Sequence, residues 1–229
     1  MRKPITIILM FVSIVVFLVI GCQKDKEEAD DPDVNNACDG QSILSYAGQD
    51  YKIVGIGDQC WMAANFNYET PNSWCYDDSI GNCDIYGRLY NWDAAFNACP
   101  NGWHLPSDEE WKTMEMELGM SQAGADSAVW RGTDEGNKMK ETGTIHWDSP
   151  NEATNSSGFS ALGGGNAHRN PHFGTGSFSG LRLSARFWTR TESSDGSGWA
   201  RQLWNGGGEV QRVSRDKQVY GMSVRCVKD

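Results

Sequence analysis

Six of the seven cysteines, Cys38, Cys60, Cys75, Cys83, Cys99 and Cys226, constrain this 229-residue chain more than any other feature. An even set in an exported domain reads as a disulfide framework. Spacing selects one pairing. Cys75 and Cys83 flank the turn-forming YDDSIGN and can close a local loop. Cys226 stands in the last strand-like segment, YGMSVRCVKD, and its expected partner is Cys99, at the end of a short helical run. That closure spans most of the domain and fastens the C-terminus. Cys38 and Cys60 remain to staple the N-terminal edge. Each bridge is worth about 2–4 kcal/mol. Zinc is the rival reading, but the sequence has no CxxC and no tight Cys/His cluster. No metal or cofactor is expected.

The exported setting is read from the N-terminus. MRK precedes an apolar run from Pro4 to Ile20, the pattern of a secretory signal. The run is a little short for a comfortable membrane span. It ends in Val19-Ile20-Gly21-Cys22, which resembles the lipobox of bacterial lipoproteins. The resemblance implies cleavage before Cys22 and acylation of its thiol, which makes the lipid bilayer an expected partner. The following QKDKEEADDPDVNNA is acidic and nearly without large apolar residues, so it reads as a solvated tether. An acidic run at this place also resembles the export signal of some Bacteroidetes-type lipoproteins. The expected location is the outer membrane, facing the cell surface; a periplasm-facing anchor is the alternative. The expected organisation is a signal peptide over 1–21, lipidated cysteine and tether over 22–37, and one folded domain over 38–229.

The formal net charge of −10 argues against a nucleic-acid partner, which needs a basic stripe. Glycine (26) and tryptophan (10) are common, and long helical periodicity is scarce. Such a chain is rich in loops and short strands, with aromatics supplying much of the buried area. Tyr51 to Val54 reads as a strand, with Gln59 to Met62 as its hairpin partner. Leu89, Trp92, Ala95 or Phe96, and Cys99 share one face of a short helix. Ser107 and Glu110 form a capping box for a second helix, whose buried stripe is Trp111, Met114 and Leu118 and whose stop is Gly119. Trp130 and Trp147 are expected to anchor residues 120 to 157, and DEGNKMKE to form a turn or two of helix. GFSAL and ARFWTRTES read as strands, the second with half-buried alternation. Trp199 to Trp204 and Val210 to Ser214 read as a hairpin, and YGMSVRCVK closes the sheet. GGGNAHRNPHFGTGSFSG, between Leu162 and Leu181, reads as a long glycine-rich loop. Two helices before an antiparallel sheet indicate an α+β fold.

The segments YGRLYNW, CPNGWHLPSDEEW, GFSAL, GSFSGL, FWTRTES and GMSVRCVKD together resemble the Fibrobacter succinogenes major paralogous domain, over about residues 39 to 229. That family is similar to the C-type-lectin-like fold. It is also similar to the formylglycine-generating-enzyme group, through HLPSDEEW and the terminal VRC. The resemblance implies two short helices packed on twisted antiparallel sheets, a long loop region and termini drawn together by a disulfide. It implies little about activity. The oxidase members of the formylglycine group hold copper with a C-terminal cysteine pair, whereas here Cys226 alone follows Cys99. Sugar-binding C-type lectins hold calcium with Glu-Pro-Asn or Gln-Pro-Asp and a Trp-Asn-Asp. This chain has Trp204-Asn205-Gly206 and neither loop triplet, too few oxygens for that ion.

No catalytic set is expected. His104 lies beside Cys99 and the carboxylates Asp108, Glu109 and Glu110, but a bridged Cys99 has no thiolate to offer. The three acids suit the first turn of a helix, where they cap and are solvated. His104 is expected to pack and hydrogen-bond in the corner. Candidate ligand contacts are His168, Arg169 and His172 on the glycine-rich loop, and Trp188, Trp199 and Trp204 on the strands. Arg190, Arg201 and Asn205 would be their polar partners. Buried, these tryptophans are core; exposed, they form a flat surface for sugar rings. The expected function is a lipid-anchored envelope protein with a rigid binding domain for a glycan or a surface protein. The alternatives are an enzyme using the same groove and a purely structural envelope or adhesion component.

Overall fold

The chain divides into two units, Met1–Asp31 and Pro32–Asp229. A computed structural model describes residues 36–170 and 175–229, all in the second unit. The signal segment, Cys22, most of the tether and His172 lie outside the described residues. Chain order begins with three short-linked strands, β1 (Ile43–Tyr46), β2 (Gln49–Ile56) and β3 (Gln59–Met62). Ala47 and Gly48 both take positive φ between β1 and β2, the backbone that matches strand twist in a two-residue hairpin. Next come β4 (Ser73–Trp74), α1 (Ile80–Tyr86), β5 (Leu89–Tyr90), α2 (Trp92–Phe96), β6 (Trp103–His104), α3 (Asp108–Glu117) and α4 (Gln122–Asp126). The remainder is β7 (Val129–Arg131), α5 (Glu135–Met139), β8 (Gly164–Asn170), β9 (Thr175–Leu181), β10 (Ser184–Glu192), β11 (Gly198–Trp204), β12 (Val210–Arg215), β13 (Tyr220–Gly221) and β14 (Val227–Lys228). The result is a mixed helix-and-sheet fold dominated by antiparallel strands. No described helix is long and apolar enough to cross a membrane.

The five-stranded sheet has the order β1-β2-β3-β14-β6, so the last strand is inserted among the first ones. Val227 pairs with both Trp61 and His104. The larger sheet runs β13-β8-β10-β11-β12-β7, with β9 added on β8. Its β10–β8 pairing is parallel, through Ala185 and Gly165; the other strand pairs are antiparallel. Disulfides join Cys38 to Cys60, Cys75 to Cys83 and Cys99 to Cys226, with Cα separations of 5.0, 4.9 and 5.9 Å. These are the pairs that spacing selects, and the separations are ordinary for disulfides.

Aromatic side chains fill the space between the sheets. One cluster gathers Tyr51, Phe66, Tyr90, Trp92 and Trp188 around Cys38, Cys60 and Cys226. A second packs Trp61, Trp111, Phe159 and Phe187 in edge-on and tilted contacts 5.2–6.0 Å between ring centres. Trp111 and Met114 deliver α3 to this second cluster. The capping box is formed: Ser107 Oγ accepts from the Glu110 backbone N–H, while Glu110 Oε2 accepts from the Ser107 N–H. Gly119, at φ 113°, follows the helix end, a backbone angle that a side chain would resist.

Several expectations are corrected. The glycine-rich segment is not a loop. Its two halves are β8 and β9, paired from Gly164 and Leu181 to Asn170 and Thr175. Gly165, at φ 64°, lies so close to β9 that an added Cβ would sit 2.8 Å from the Leu181 nitrogen. The glycines serve close strand approach there, not looseness. GFSAL is not a strand. Its carbonyls at Phe159 and Ser160 instead accept hydrogen bonds from the buried Arg225, at 2.5 and 2.9 Å. The run from Leu89 to Cys99 is helical only over α2. Asn91 caps it by accepting from the Ala94 N–H, and Leu89 belongs to β5. β10 does not alternate: Phe187, Trp188 and Thr189 are all buried, because both faces of this inner strand are covered. The C-terminal segment splits between the two sheets, and α1 and α4 join the two expected helices.

Candidate functional site

Charge is concentrated where α3 crosses the larger sheet. Asp108 and Glu115 stand seven residues apart, hence on one helix face. Both are buried. Arg201 from β11 donates to Asp108 Oδ1 at 2.7 Å and to Glu115 Oε1 at 2.7 Å. Arg131 from β7 donates to Glu115 Oε2 at 2.6 Å, and Arg212 from β12 to Asp108 Oδ2 at 2.7 Å. Lys112 closes the edge with Glu109 at 2.8 Å and Asp126 at 3.0 Å. Burial alone would raise the Asp108 pKa; the hydrogen bonds from Arg212 and Arg201 outweigh it and hold the carboxyl at about 2. Arg131 is pulled down by burial and by the neighbouring guanidiniums, against Glu115. Asp108 is therefore no solvated capping acid, in contrast to the expectation. It is the hub of a network in which every charge meets its opposite.

The other face of the same strands is different. Trp130 on β7 pairs with Gln211 on β12, and Gln211 pairs with Gln202 on β11. Paired residues point to one side, and Trp204 is two residues beyond Gln202, so Trp130 and Trp204 share a face. They are 45% and 40% exposed. Between them lies a groove of about 370 Å³, lined also by Gly206, Gly207 and Glu209.

The turn from Trp204 to Glu209 is irregular but tightly held. Lys140, fully buried at the end of α5, donates from Nζ to the carbonyls of Trp204 (2.8 Å), Asn205 (3.2 Å) and Gly207 (2.8 Å). Its ammonium sits 5.6 Å from the centre of the Trp147 ring. Burial pushes the Lys140 pKa down to about 8, against the pull of Glu152 and Glu209. Gly136 lets α5 reach this turn: its N–H donates to the Gly208 carbonyl at 2.7 Å, and a Cβ would sit 2.7 Å from the Glu209 carbonyl oxygen. The groove floor is thus pre-formed, and a ligand would not have to order it.

The residues nominated from sequence do not converge. Trp188 and Arg201 are fully buried, the first donating to the Tyr90 carbonyl at 2.8 Å and the second in the ion network; neither is available to a ligand. Trp199 is half-covered by Arg212, whose guanidinium carbon lies 3.8 Å from the ring centre. Asn205 is buried and donates to the Asp148 carbonyl. Arg190 lies over Phe96 in a separate depression with Trp92, Asp93, Asn97 and Glu192. His168 meets Tyr220 edge-on, and Arg169 pairs with Asp78 at 2.5 Å and lies over Phe178. Of the nominated residues that are described, Trp204 alone lines the groove. Its partner Trp130 was expected as an anchor of the interior; that place belongs to Trp147, which is buried and donates to the Ala161 carbonyl at 2.9 Å. His104 is a corner residue: Nδ1 lies 2.6 Å from Asp229 Oδ1 and Nε2 2.7 Å from Glu110 Oε1.

The described chain is a disulfide-stapled mixed fold with an ion network on one sheet face and an aromatic groove on the other. The profile of the Fibrobacter succinogenes major domain matches residues 54–228, and the chain belongs to that family. No curated protein and no solved structure matches the chain.

Proposed function

We propose that this protein is an exported, lipid-anchored envelope protein whose C-type-lectin-like domain is a binding module for a glycan or a protein at the cell surface. The observation that carries the binding reading is the pair of exposed tryptophans, Trp130 and Trp204, on one face of a fixed sheet. Exposed large aromatics flanking a pre-formed groove are characteristic of ligand contacts, because they gain much from burial at little entropic cost. Insertion of β14 into the N-terminal sheet and the Cys99–Cys226 bridge support the lectin-like assignment. The VIGC sequence at residues 19–22 and the acidic tether support acylation of Cys22 and display at the outer membrane. In cells fed an alkyne fatty acid, the wild-type chain should take up the label and Cys22→Ser should not. Protease added to intact cells should remove the domain. An unlabelled wild-type chain would end the anchoring reading, and full protection from protease would reverse the orientation.

A further inference from the structure

The lining of the groove says more about its occupant. Among the described residues it consists of two indoles, two glycines and one carboxylate, with no lysine or arginine. The cations close by in the fold are committed. Arg131, Arg201 and Arg212 belong to the network under α3, and Lys140 is spent on three carbonyls. Lys138 pairs with Asp134 and donates to the Leu118 carbonyl. The charged side chain that an anionic ligand would meet is the Glu209 carboxylate, and the Lys140 ammonium beneath the turn is occupied by three carbonyls, on a chain whose net charge is already −10. The lining is also small. A stable protein interface covers about 800 Å² per partner, far more than five residues of groove. The strands carrying Trp130 and Trp204 are separated by one other, a gap of roughly 10 Å. That gap suits a flat ring with apolar C–H faces and polar edges.

We infer that the groove between Trp130 and Trp204 is a subsite for one ring of an uncharged pyranose glycan, its C–H face stacked on the indoles and its hydroxyls donating to Glu209. This rests on the binding reading above and narrows it to a ligand class. The turn carbonyls of Trp204, Asn205 and Gly207 are held by Lys140 and stay out of the contact, so Glu209 is the acceptor that reads the hydroxyls.

The test uses the full mature chain in detergent. It is titrated by calorimetry, and watched by saturation-transfer NMR, with neutral gluco-, manno-, galacto- and xylo-oligosaccharides and with polygalacturonate. A neutral oligosaccharide should bind, with transfer strongest to its axial C–H protons. Trp204→Ala and Trp130→Ala should each weaken it about tenfold or more, and Trp204→Phe should keep most of the affinity, which separates lost stacking from lost folding. Glu209→Gln should weaken it less. Binding of polygalacturonate in preference overturns the uncharged-ring assignment. If no neutral sugar binds while an envelope protein is captured and then lost in Trp204→Ala, the sugar inference falls and the binding module stands. If wild type and Trp130→Ala/Trp204→Ala behave alike towards every ligand, both fall.

Discussion

Strands β7 and β11 each carry residues with opposite fates on their two faces. Arg131 and Arg201 turn towards α3 and end in buried carboxylates. Trp130 and Trp204 turn the other way and stay in contact with water. The usual expectation is reversed on both faces: charge is inside and aromatic surface outside. The inner arrangement holds because it is closed, with each buried acid meeting more than one guanidinium. Such a network adds little net stability over an apolar core, but it tolerates no missing member. The outer arrangement is open. Breaking it should cost the fold little, as at most surface positions.

The largest effect should come from breaking the inner face. Arg201→Met leaves Asp108 and Glu115 partly uncompensated in a dry site, and unfolding in denaturant should show a loss of about 3–5 kcal/mol. A loss under about 1 kcal/mol would mean that water reaches the network. Next is the bridge that fastens the C-terminal strand just past the end of α2. Replacing Cys99 and Cys226 together with serine should cost about 2–4 kcal/mol, because the bridge closes a loop with a sequence separation of 127 residues. The same exchange at Cys75 and Cys83, separated by 8, should cost less.

The contrast between the faces also shows what the sequence could reveal. The cap of α3 was legible because Ser107 and Glu110 carry their own chemistry at a fixed spacing. The disulfide pairs were legible because one is local and another fastens the C-terminal strand across most of the domain. The hub was within reach too: Asp108, Trp111, Lys112 and Glu115 follow helical spacing, so an acid at Asp108 had to share the face of Trp111. Reading the three acids only as a solvated first turn missed this. The β8–β9 hairpin was hidden because glycine strands have no alternating side chains to display a period. The groove was half visible. Trp204 was nominated on its strand, but Val129-Trp130-Arg131 is too short to reveal which side faces the core, and tryptophan serves both sides equally well. Only pairing with β12 fixes the face.

Acid should probe the inner face alone. Asp108 titrates near 3.8 when unfolded and is held at about 2 in the fold. Between those values the unfolded chain binds more protons. The stabilisation from this carboxylate is therefore complete above about pH 4 and lost as pH falls through 2, amounting to about 2 kcal/mol. Glu110 is shifted in the same direction: burial opposes the change, and hydrogen bonds from Ser107 and His104 prevail. Melting temperature against pH should fall steeply in this window for the wild type and more shallowly for Asp108→Asn. Equal slopes would assign the acid limb to other carboxylates.

The smallest effect on stability is expected at the outer face, and there the comparison is sharpest. Trp204→Ala removes an indole that is 40% exposed and makes no side-chain hydrogen bond among the described residues. The Trp204 carbonyl, which Lys140 needs, remains. Stability should change by no more than about 1 kcal/mol, as for most surface positions. Trp130→Ala should behave likewise, since its side chain is 45% exposed. Ligand affinity should fall in both variants. A tryptophan whose loss costs several kcal/mol of folding would belong to the scaffold, and the groove would then be a by-product of packing. A pair whose loss leaves folding intact and abolishes binding would separate the two faces completely: one set of strands, with alternate residues assigned to holding the domain together and to contacting something outside it.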